Sequence, residues 1–451
     1  MSDAAPLPTA AVILAAGKGT RMKSDLPKVL HPVAGRPMIL HVVEAARALG
    51  AARMVAVLSP GLAGVAEAVK PAAIAVQDPP LGTGHAVSCA LEALGDFEGG
   101  VLVLFGDTPL IRTRTLVALR AALAPGVAVA VLGFRPPEPG AYGRLVLGAD
   151  GSLERIVEAK EAGPAELAIG LCNAGVMAID GRHLKSLVGA IANTNAKGEY
   201  YLTDVVAIAR ARGLGTVVVE GDADEVLGVN SRVELAQAEA ILQARLKQAH
   251  MEAGVTFEDP ASVRLSIDTQ LGRDVTIGPQ VVFGPKVKIA DGVRINAFCH
   301  LEGASVETGA IIGPFARLRP GTVIARDAHV GNFVELKNAV LGEGAKANHL
   351  SYIGDADVGA KANIGAGTIT CNYDGFDKHR TQIGAGAFIG SNTALVAPVS
   401  VGAGAITGAG SVVVEAVEAD ALYVERAPPV QKPGWAARFR AKKLAARQPK
   451  S

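Results

Sequence analysis

The second half of the chain carries an aliphatic residue at every sixth position, and this rhythm constrains the fold more than any other feature. A six-residue period is typical of a parallel β-helix, in which each hexapeptide points one aliphatic side chain into a triangular coil. Roughly three hexapeptides then make one coil. Chance phasing of a Gly-rich apolar sequence is the alternative, and three runs in phase argue against it. The runs are Leu271, Ile277, Phe283, Ile289, Ile295 and Leu301; Ile312, Leu318, Ile324, Val330 and Leu336; and Ile383, Ile389, Leu395 and Val401.

The rhythm is interrupted once and then fades. Between Thr370 and Gln382 the segment NYDGFDKHR inserts polar and aromatic residues that cannot continue a coil. Loops that leave a rigid solenoid commonly carry function, so we expect this one to contribute to a site. After Glu415 the repeat gives way to a basic tail containing Trp435 and Phe439. We expect this tail to be solvated and to pack only in part on the solenoid.

The first half of the chain has a different pattern. Short β-branched runs alternate with Ala-rich helical stretches from Ala11 to about Gly228. This alternation predicts an α/β domain with a Rossmann-like, mostly parallel sheet. A capping box, Ser231 with Glu234, then opens a helical stretch that ends near Ala253.

The length of the chain also indicates more than one domain. Its 451 residues exceed the roughly 250 to 300 residues at which a single hydrophobic core stops growing. From the change of pattern we predict an α/β domain at 1–230, a linker helix at 231–254 and a β-helix domain with a C-terminal tail at 255–451.

Composition narrows the partners. The 44 Lys and Arg residues balance 43 Asp and Glu residues, so we expect no nucleic-acid partner, and small molecules are favoured. No apolar run reaches transmembrane length and no signal peptide precedes the first strand, so we expect no membrane association and a cytoplasmic location. The four cysteines lie far apart, which indicates neither a zinc site nor a disulfide framework. They are Cys89, Cys172, Cys299 and Cys371.

A glycine-containing turn, LAAGKGTRM from Leu14 to Met22, follows the first strand. Gly17 and Gly19 allow the backbone to approach a triphosphate, and Arg21 and Lys28 bring compensating positive charge. The spacing fits neither the Rossmann nor the Walker motif. A structural glycine turn with surface cations is the alternative.

The strand VLVLFGD ends in Asp107. A carboxylate at the C-terminal end of a parallel strand is well placed to hold Mg²⁺ in the adjoining crevice. Mg²⁺ takes only one or two protein ligands beside phosphate and water, so one further ligand suffices. A capping role for Asp107 is the alternative.

The segments FARLRPG, HVGNFVELK, NHLSYIG and GAGTITCNYDG, together with LAAGKGTRM, carry a family resemblance over about residues 10 to 435. The chain resembles the bifunctional uridyltransferases and acetyltransferases that make UDP-N-acetylglucosamine, the precursor of peptidoglycan and lipopolysaccharide. The resemblance implies a left-handed β-helix, a homotrimer with sites between neighbouring β-helices, and Mg²⁺, UTP and acetyl-CoA as cofactor and co-substrates. Its substrates would be glucosamine-1-phosphate and N-acetylglucosamine-1-phosphate.

For uridylyl transfer, the resemblance implies attack of the sugar-1-phosphate on the α-phosphorus of UTP, with release of pyrophosphate. A phosphate nucleophile is already ionised, so positioning and charge neutralisation by Arg21 and Lys28 would carry catalysis. Asp107 and Asn230 would hold Mg²⁺. The nucleotide-sugar site would comprise Leu14, Ala15, Gly17, Lys28, Gln77, Gly82, Thr83, Gly143, Glu158, Asn173 and Asn230.

For acetyl transfer, His349 is expected to be the base, because a protonated amine cannot attack a thioester. Glu335 would orient or polarise His349, or else be a solvated charge. By resemblance, the sugar-phosphate site would comprise Arg319, Lys337, Tyr352, Asn363 and Lys378, and the acetyl-CoA site Ala366, Asn372, Tyr373, Ser391, Ala409 and Arg426.

Two other functions remain open at this stage. The first is a sugar-nucleotide pyrophosphorylase whose β-helix is regulatory, and His349 with Lys337 and TITCNYDG speaks against it. The second is a non-catalytic assembly subunit that keeps both folds. Intact Arg21, Lys28, Asp107 and Asn230 favour an enzyme.

Overall fold

A computed structural model describes residues 8–17, 19–195 and 197–447. The chain divides into two compact units. We call Met1–Ala249 with Leu265–Ile267 the α/β unit, and His250–Arg264 with Asp268–Ser451 the β-helix unit. Within the described part of the chain, every helix is too short or too polar to cross a membrane.

The α/β unit is built on a mixed, mostly parallel sheet with the strand order β11-β7-β10-β6-β1-β4-β5. β10 runs antiparallel to both of its neighbours in this order, and β8 and β9 form an antiparallel extension beside it. The strands are β1 (Thr9–Leu14), β2 (Pro32–Val33), β3 (Arg36–Pro37), β4 (Arg53–Leu58), β5 (Ala73–Val76), β6 (Gly100–Phe105), β7 (Val127–Phe134), β8 (Arg144–Leu147), β9 (Leu153–Val157), β10 (Cys172–Asp180) and β11 (Gly215–Glu220).

Helices cover both faces of this sheet, so its central strands are apolar on both sides. Along β1, Val12 packs into one apolar cluster and Ile13 into the other, as the period of two requires. The helices are α1 (Met38–Ala48), α2 (Ala63–Ala68), α3 (Thr83–Leu94), α4 (Thr113–Ala121), α5 (Pro164–Leu167), α6 (Gly181–Val188) and α7 (Asp204–Ala211), with 3-10 turns at Thr20–Met22, Lys28–Leu30 and Ala223–Glu225.

The topology places a crevice at the C-terminal end of β1. The chain leaves β1 toward β4 on one side and later returns to β6 on the other side. In open α/β sheets such a change of direction separates the loops that follow adjacent strands, and ligands bind between them. The segments after Leu14 and after Phe105 meet at this point.

One long helix, α8 (Arg232–Glu252), follows the sheet. The predicted capping box is present in a shifted form. The Glu234 backbone N–H lies 3.4 Å from Ser231 Oγ, and the Glu234 carboxylate accepts the Asn230 N–H at 2.7 Å. Glu234 therefore ties the segment before the helix to its first turn.

The β-helix unit consists of short strands in which a strand generally pairs in parallel with the third one after it, except that β12 pairs with β14 and β35 with β37. Three sheets result, and the fold is a left-handed parallel β-helix, as predicted. The strands are β12 (Thr256–Phe257), β13 (Gln270–Leu271), β14 (Thr276–Ile277), β15 (Val282–Phe283), β16 (Lys288–Ile289), β17 (Arg294–Ile295), β18 (His300–Leu301), β19 (Ala304–Val306), β20 (Ile311–Ile312), β21 (Arg317–Leu318), β22 (Thr322–Ile324), β23 (His329–Asn332), β24 (Glu335–Lys337), β25 (Val340–Leu341), β26 (Lys346–His349), β27 (Tyr352–Gly354), β28 (Ala356–Val358), β29 (Asn363–Ile364), β30 (Ile369–Cys371), β31 (Thr381–Ile383), β32 (Phe388–Ile389), β33 (Ala394–Val396), β34 (Val399–Val401), β35 (Ile406–Thr407), β36 (Val412–Val413) and β37 (Leu422–Tyr423).

The aliphatic residues of the six-residue rhythm form the core of this unit. Of the fifteen predicted positions, all but Leu271 are buried. Ile277 stacks on Ile295 of the next coil, and Ile295 on Ile312. Leu271 lies in β13, the end strand of its sheet, so only one neighbouring strand covers it.

One corner of the coil carries exposed apolar side chains. Phe298, Phe315, Phe333 and Leu350 each follow a strand of the sheet that begins with β12, and each has a positive φ. The phenylalanine rings stack at 4.8 and 5.1 Å between centroids. We call these four residues the phenylalanine corner.

The C-terminal tail ends in helix α9 (Trp435–Ala445), all of whose residues are exposed. The rings of Trp435 and Phe439 stack on each other at 5.1 Å. The tail is solvated, as expected, but the described helix buries nothing on the solenoid.

Candidate active sites

A cleft of about 470 Å³ opens at the crevice beside β1. Its walls come from the turn after β1, the start of α3, the end of β6 and the segment before α7. Nine of the predicted nucleotide-sugar and metal residues line it, namely Leu14, Ala15, Gly17, Lys28, Gln77, Gly82, Thr83, Asp107 and Glu158.

Three predicted residues meet at the floor of the cleft. The Lys28 ammonium donates to Asp107 Oδ2 at 2.5 Å and to Asn230 Oδ1 at 3.0 Å. The Val229 N–H donates to the Asp107 carbonyl at 2.9 Å and so fixes the segment that carries Asn230. A carboxylate oxygen and an amide oxygen thus converge on one positive group.

This pair of oxygens suits a hard divalent cation. Mg²⁺ prefers oxygen ligands and binds proteins through one or two of them beside phosphate. Among the described residues no group of three or more His, Cys, Asp or Glu could hold a metal. Asp107 and Asn230 are therefore a donor pair that fits Mg²⁺ in the presence of a phosphate substrate, and Lys28 now fills the point where they converge.

A second wall of the cleft is formed by Gln77 and the first turn of α3. The Gln77 amide nitrogen donates to the Gly82 carbonyl at 2.9 Å. Gly82 has a φ of 103°, and a Cβ there would lie 2.6 Å from the Tyr200 carbonyl. Thr83 Oγ1 accepts the Leu202 N–H at 3.0 Å. Only glycine allows this close approach of the two segments.

The predicted sugar residues lie in two places. Glu158 lines the cleft, and burial raises the pKa of its carboxyl, with Glu161 and Asp204 adding to the rise and Lys197 opposing it. Asn173 and Gly143 lie outside the cleft lining and are joined by the Asn173 N–H, which donates to the Gly143 carbonyl at 2.8 Å.

The glycine turn is only partly as expected. A Cβ on Gly17 would project into open space, so this position faces room for a ligand. Gly19, with a φ of 60°, packs against Lys28, where a Cβ would come within 2.6 Å of the Lys28 Cβ. Arg21 is exposed in the turn Thr20–Met22 and does not line the cleft.

Several lining residues were missed by the sequence analysis. Lys197, Glu199, Tyr201 and Thr203 also line the cleft. The polar segment KGEYYLT before α7 offered a signal, since two charged and two aromatic residues lie within five positions of it. The backbone of this segment is held by the Tyr200 N–H, which donates to the Leu81 carbonyl at 2.8 Å.

In the β-helix unit, the predicted base and three predicted acetyl-CoA residues lie in one line. At this corner, a backbone N–H of each coil donates to a carbonyl of the coil before it, which stacks the coils in register. The N–H of Leu350 donates to the Asn332 carbonyl at 3.1 Å, that of Gly367 to His349 at 3.3 Å, that of Asn392 to Ala366 at 2.7 Å and that of Gly410 to Ser391 at 2.8 Å. The Arg426 guanidinium donates to the Ala409 carbonyl at 3.1 Å. We call Asn332, His349, Ala366, Ser391 and Ala409 the corner column.

His349 is exposed, and its Nδ1 lies 2.9 Å from Asn332 Oδ1. An amide oxygen can only accept, so Nδ1 carries the proton and Nε2 keeps a free lone pair. Sequence analysis missed Asn332. The signal was its separation of seventeen positions from His349, which matches one coil and puts the two residues in register.

Glu335 and His349 lie on different sheets of the β-helix. Its carboxylate accepts from the Arg319 guanidinium at 2.8 Å, on the face formed by β21, β24 and β27. Its partner in register on the next coil is Tyr352. Within one chain the contact to the His349 ring comes from Asn332, and the Glu335 carboxylate forms an ion pair with Arg319. The orientation of His349 by Glu335 stays a prediction.

Positive charge collects on the same face. The Lys378 ammonium lies against that of Lys337, and this contact lowers the pKa of Lys337, with a smaller contribution from Arg319. Such a cluster is unfavourable unless an anion compensates it. Three of the predicted sugar-phosphate residues are therefore brought together.

The loop at the interruption is ordered by its own contacts. Asp374 accepts the N–H groups of Phe376 and Asp377 at 2.8 and 2.7 Å and contacts His379 Nε2 at 2.8 Å. Asn372 is buried and donates to Asp355 at 2.5 Å, while Tyr373 is exposed. These two predicted acetyl-CoA residues follow β30, on a corner different from the corner column.

Comparisons with known proteins agree with both units. Residues 11–165 match the MobA-like NTP transferase domain, and residues 268–303 match the bacterial transferase hexapeptide of six repeats. Bifunctional protein GlmU of Rhodospirillum rubrum is 61% identical over 435 residues, which cover 96% of this chain and 97% of the relative. Bifunctional protein GlmU of Azorhizobium caulinodans is 58% identical over 434 residues, which cover 95% and 97%.

Identity at this level runs through both units. It confirms the predicted enzyme, which has uridyltransferase and acetyltransferase activities and uses Mg²⁺, UTP and acetyl-CoA. The chain belongs to the family of bifunctional GlmU proteins.

Proposed function

We propose that the two activities are divided between the units, with uridylyl transfer in the cleft of the α/β unit and acetyl transfer on the β-helix. The convergence of Asp107 and Asn230 on Lys28 carries the first assignment. We propose residues 1–230, 231–254 and 255–451 as the corresponding domains, with the middle segment as the linker helix.

In the cleft, Lys28 would exchange Asp107 for the phosphates of UTP. Its ammonium is mostly shielded from solvent, so its charge acts strongly on a bound phosphate. Mg²⁺ held by Asp107 and Asn230 would neutralise phosphate charge. The glycine turn supplies room for the triphosphate beside Gly17. Arg21 would be the second cation at the phosphates, and its side chain, exposed in the turn, would have to move toward them.

The remaining residues would orient the substrates. Leu14 and Ala15 form the base of the nucleotide site, and Gln77, Gly82 and Thr83 would bind the uracil. Glu158, Gly143 and Asn173 would bind the sugar. Positioning the ionised sugar phosphate in line with the α-phosphorus of UTP then requires no general base.

On the β-helix, His349 Nε2 would remove the proton from the amine of glucosamine-1-phosphate. The neutral amine nitrogen then attacks the thioester carbonyl and the C–S bond breaks. The departing coenzyme A thiolate takes up the proton that the nitrogen loses as it becomes an amide, and coenzyme A leaves as the free thiol. Asn332 holds the ring with Nε2 free and accepts from the Nδ1–H of the imidazolium that forms. The N–H near Ala366 would bind the oxyanion.

Arg319, Lys337 and Lys378 would bind the sugar phosphate, because their clustered charges call for an anion. Tyr352 and Asn363 would complete the sugar pocket. Ser391, Ala409 and Arg426, along the corner column, would bind acetyl-CoA together with Ala366, and Asn372 and Tyr373 would reach it from the loop.

We further propose a homotrimer. Asn363 lies on the sheet that contains β26, whereas Lys337 and Tyr352 lie on the sheet that contains β24. Residues on two faces of one prism do not converge on a single sugar, so a second chain would complete the site. The phenylalanine corner offers exposed apolar surface for that contact, since its four side chains are 44% to 63% exposed. A cytoplasmic location would supply both co-substrates.

The test uses the complete chain with glucosamine-1-phosphate, acetyl-CoA, UTP and Mg²⁺, and follows free thiol and pyrophosphate. Asp107→Ala should abolish pyrophosphate release and leave thiol release intact. His349→Ala should abolish thiol release but still uridylylate supplied N-acetylglucosamine-1-phosphate. Loss of thiol release in Asp107→Ala, or failure of His349→Ala to uridylylate supplied N-acetylglucosamine-1-phosphate, with an unchanged melting temperature, would contradict the division between the units.

A further inference from the structure

The Gln77 side chain has a defined orientation. It is only 4% exposed and lines the cleft. The Gly82 carbonyl, 2.9 Å from the amide nitrogen, can only accept a hydrogen bond, so the NH₂ group must face it. The amide oxygen then points elsewhere, and among the described residues none donates a hydrogen bond to it. Gln77 thus presents a free acceptor to the cleft.

The second N–H of the amide also has a partner. His85, in the first turn of α3, has its Nδ1 3.4 Å from Gln77 Nε2. A ring nitrogen that faces a donor must carry the lone pair, so the proton of the neutral ring is on Nε2. That nitrogen lies 3.7 Å from Cys89 Sγ, a weak acceptor. Gly82, Gln77, His85 and Cys89 thus form a series of hydrogen bonds in which both amide N–H groups of Gln77 and the ring N–H of His85 face an acceptor.

We propose that His85 is a positioning residue that locks the Gln77 amide and thereby sets the preference for UTP over CTP. This inference rests on the proposed binding of UTP in the cleft. Uracil carries an N–H at N3, which an amide oxygen can accept, whereas cytosine carries a lone pair there. A flipped amide would favour cytosine, but it would set the Gln77 oxygen against the Gly82 carbonyl and the His85 lone pair.

His85 contributes because it opposes the flip from a second direction. The Gly82 carbonyl alone would hold one N–H and leave the other free. With both N–H groups engaged, reversal loses two hydrogen bonds and sets the Gln77 oxygen against the Gly82 carbonyl. The contact with His85 is relieved only if that ring also changes tautomer and gives up its N–H toward Cys89. A site whose buried polar groups are fixed in this way rejects a ligand with the reverse pattern.

The test compares kcat/KM for UTP and for CTP, with N-acetylglucosamine-1-phosphate and Mg²⁺, in the complete chain. His85→Phe keeps a ring and removes the acceptor, and the ratio of UTP to CTP should fall up to roughly tenfold, as for one hydrogen bond. His85→Asn restores an acceptor near the position of Nδ1 and should keep most of the preference. Cys89→Ser, at the end of the hydrogen-bond series farthest from Gln77, should change the ratio of UTP to CTP little.

The outcomes separate this inference from the proposed function. A wild-type chain that fails to uridylylate would overturn the cleft assignment itself. If the wild type prefers UTP and His85→Phe keeps that preference, only the role of His85 is refuted. A role limited to packing would lower the melting temperature of His85→Phe without changing the ratio, and would likewise overturn the proposal. Acetyl transfer by the same chains is the internal control.

Discussion

In the α/β unit, the Lys28 ammonium donates to Asn230 Oδ1, 202 positions away along the chain, and the residues of the proposed site converge within one chain. In the β-helix unit, the corresponding side chains lie along a corner and on two faces of a prism. The crossover connections of an α/β sheet bring distant segments to one edge, whereas a solenoid brings together only residues one coil apart. A folded monomer can therefore bring the residues of the first proposed site together, while in the proposed trimer a neighbouring chain would complete the second.

The largest effect is expected from separating the chains of the proposed trimer. Phe315→Asp puts a charge into the stacked phenylalanine corner, so we expect loss of the trimer and of nearly all acetyl transfer, with uridylyl transfer unchanged. Light scattering and the two assays on the same sample measure this. Phe315→Leu, which stays apolar, should retain both activities. An active acetyltransferase monomer would refute the dependence on a second chain.

A single change at the convergent site should also have a large effect. Lys28→Met keeps the length of the side chain and removes its charge, and kcat/KM for uridylyl transfer should fall roughly 10²- to 10³-fold. Acetyl transfer should remain at the wild-type rate. Lys23→Met, on an exposed neighbour, is the matched control and should change neither activity. Retention of uridylyl transfer in Lys28→Met would remove Lys28 from the site.

The contact within the corner column should have an intermediate effect. Asn332→Leu has a similar volume and cannot accept from His349, so kcat for acetyl transfer should fall roughly 10- to 100-fold, as for a hydrogen bond to a charged group. The KM for glucosamine-1-phosphate should change little. Asn332→Asp, which still accepts, should retain more activity than Asn332→Leu. Equal activity of the wild type and Asn332→Leu would show that the ring needs no such support.

The smallest predicted effect is a displacement of a pH profile. The Lys378 ammonium lowers the pKa of Lys337, so Lys337 loses its proton at a lower pH than an ordinary lysine. In Lys378→Met the pKa of Lys337 should rise, and the alkaline limb of kcat/KM for glucosamine-1-phosphate should move to higher pH. Lys361→Met, which changes an exposed lysine elsewhere on the β-helix, should leave the limb in place. A limb that stays in place in Lys378→Met would separate Lys337 from phosphate binding.

The sequence predicted some of these features for clear physical reasons. The six-residue period identified the buried side chains of the β-helix because each strand repeats the same inward position. The position of Asp107 followed from its place after a parallel strand. Asn230 and Glu335 have no local pattern, and only family resemblance suggested them.

Other contacts depend on tertiary register, which the sequence does not display locally. The pairing of Asn332 with His349 requires the length of a coil, and the ion pair of Glu335 with Arg319 requires the face on which each lies. His85 lies inside the motif LGTGHA, yet its role depends on the position of Gln77, which comes from a different segment. Local sequence pattern therefore predicted the fold of each unit better than it predicted which polar side chains contact one another.

The corner column has a consequence for how such a site can change. Adjacent parallel strands lie about 4.8 Å apart, so the four steps from Asn332 to Ala409 span roughly 19 Å. A substitution cannot adjust this length continuously, because only insertion or deletion of a whole coil keeps the register of the core. The distance from His349 to any later position of the corner column is therefore a whole number of coil spacings.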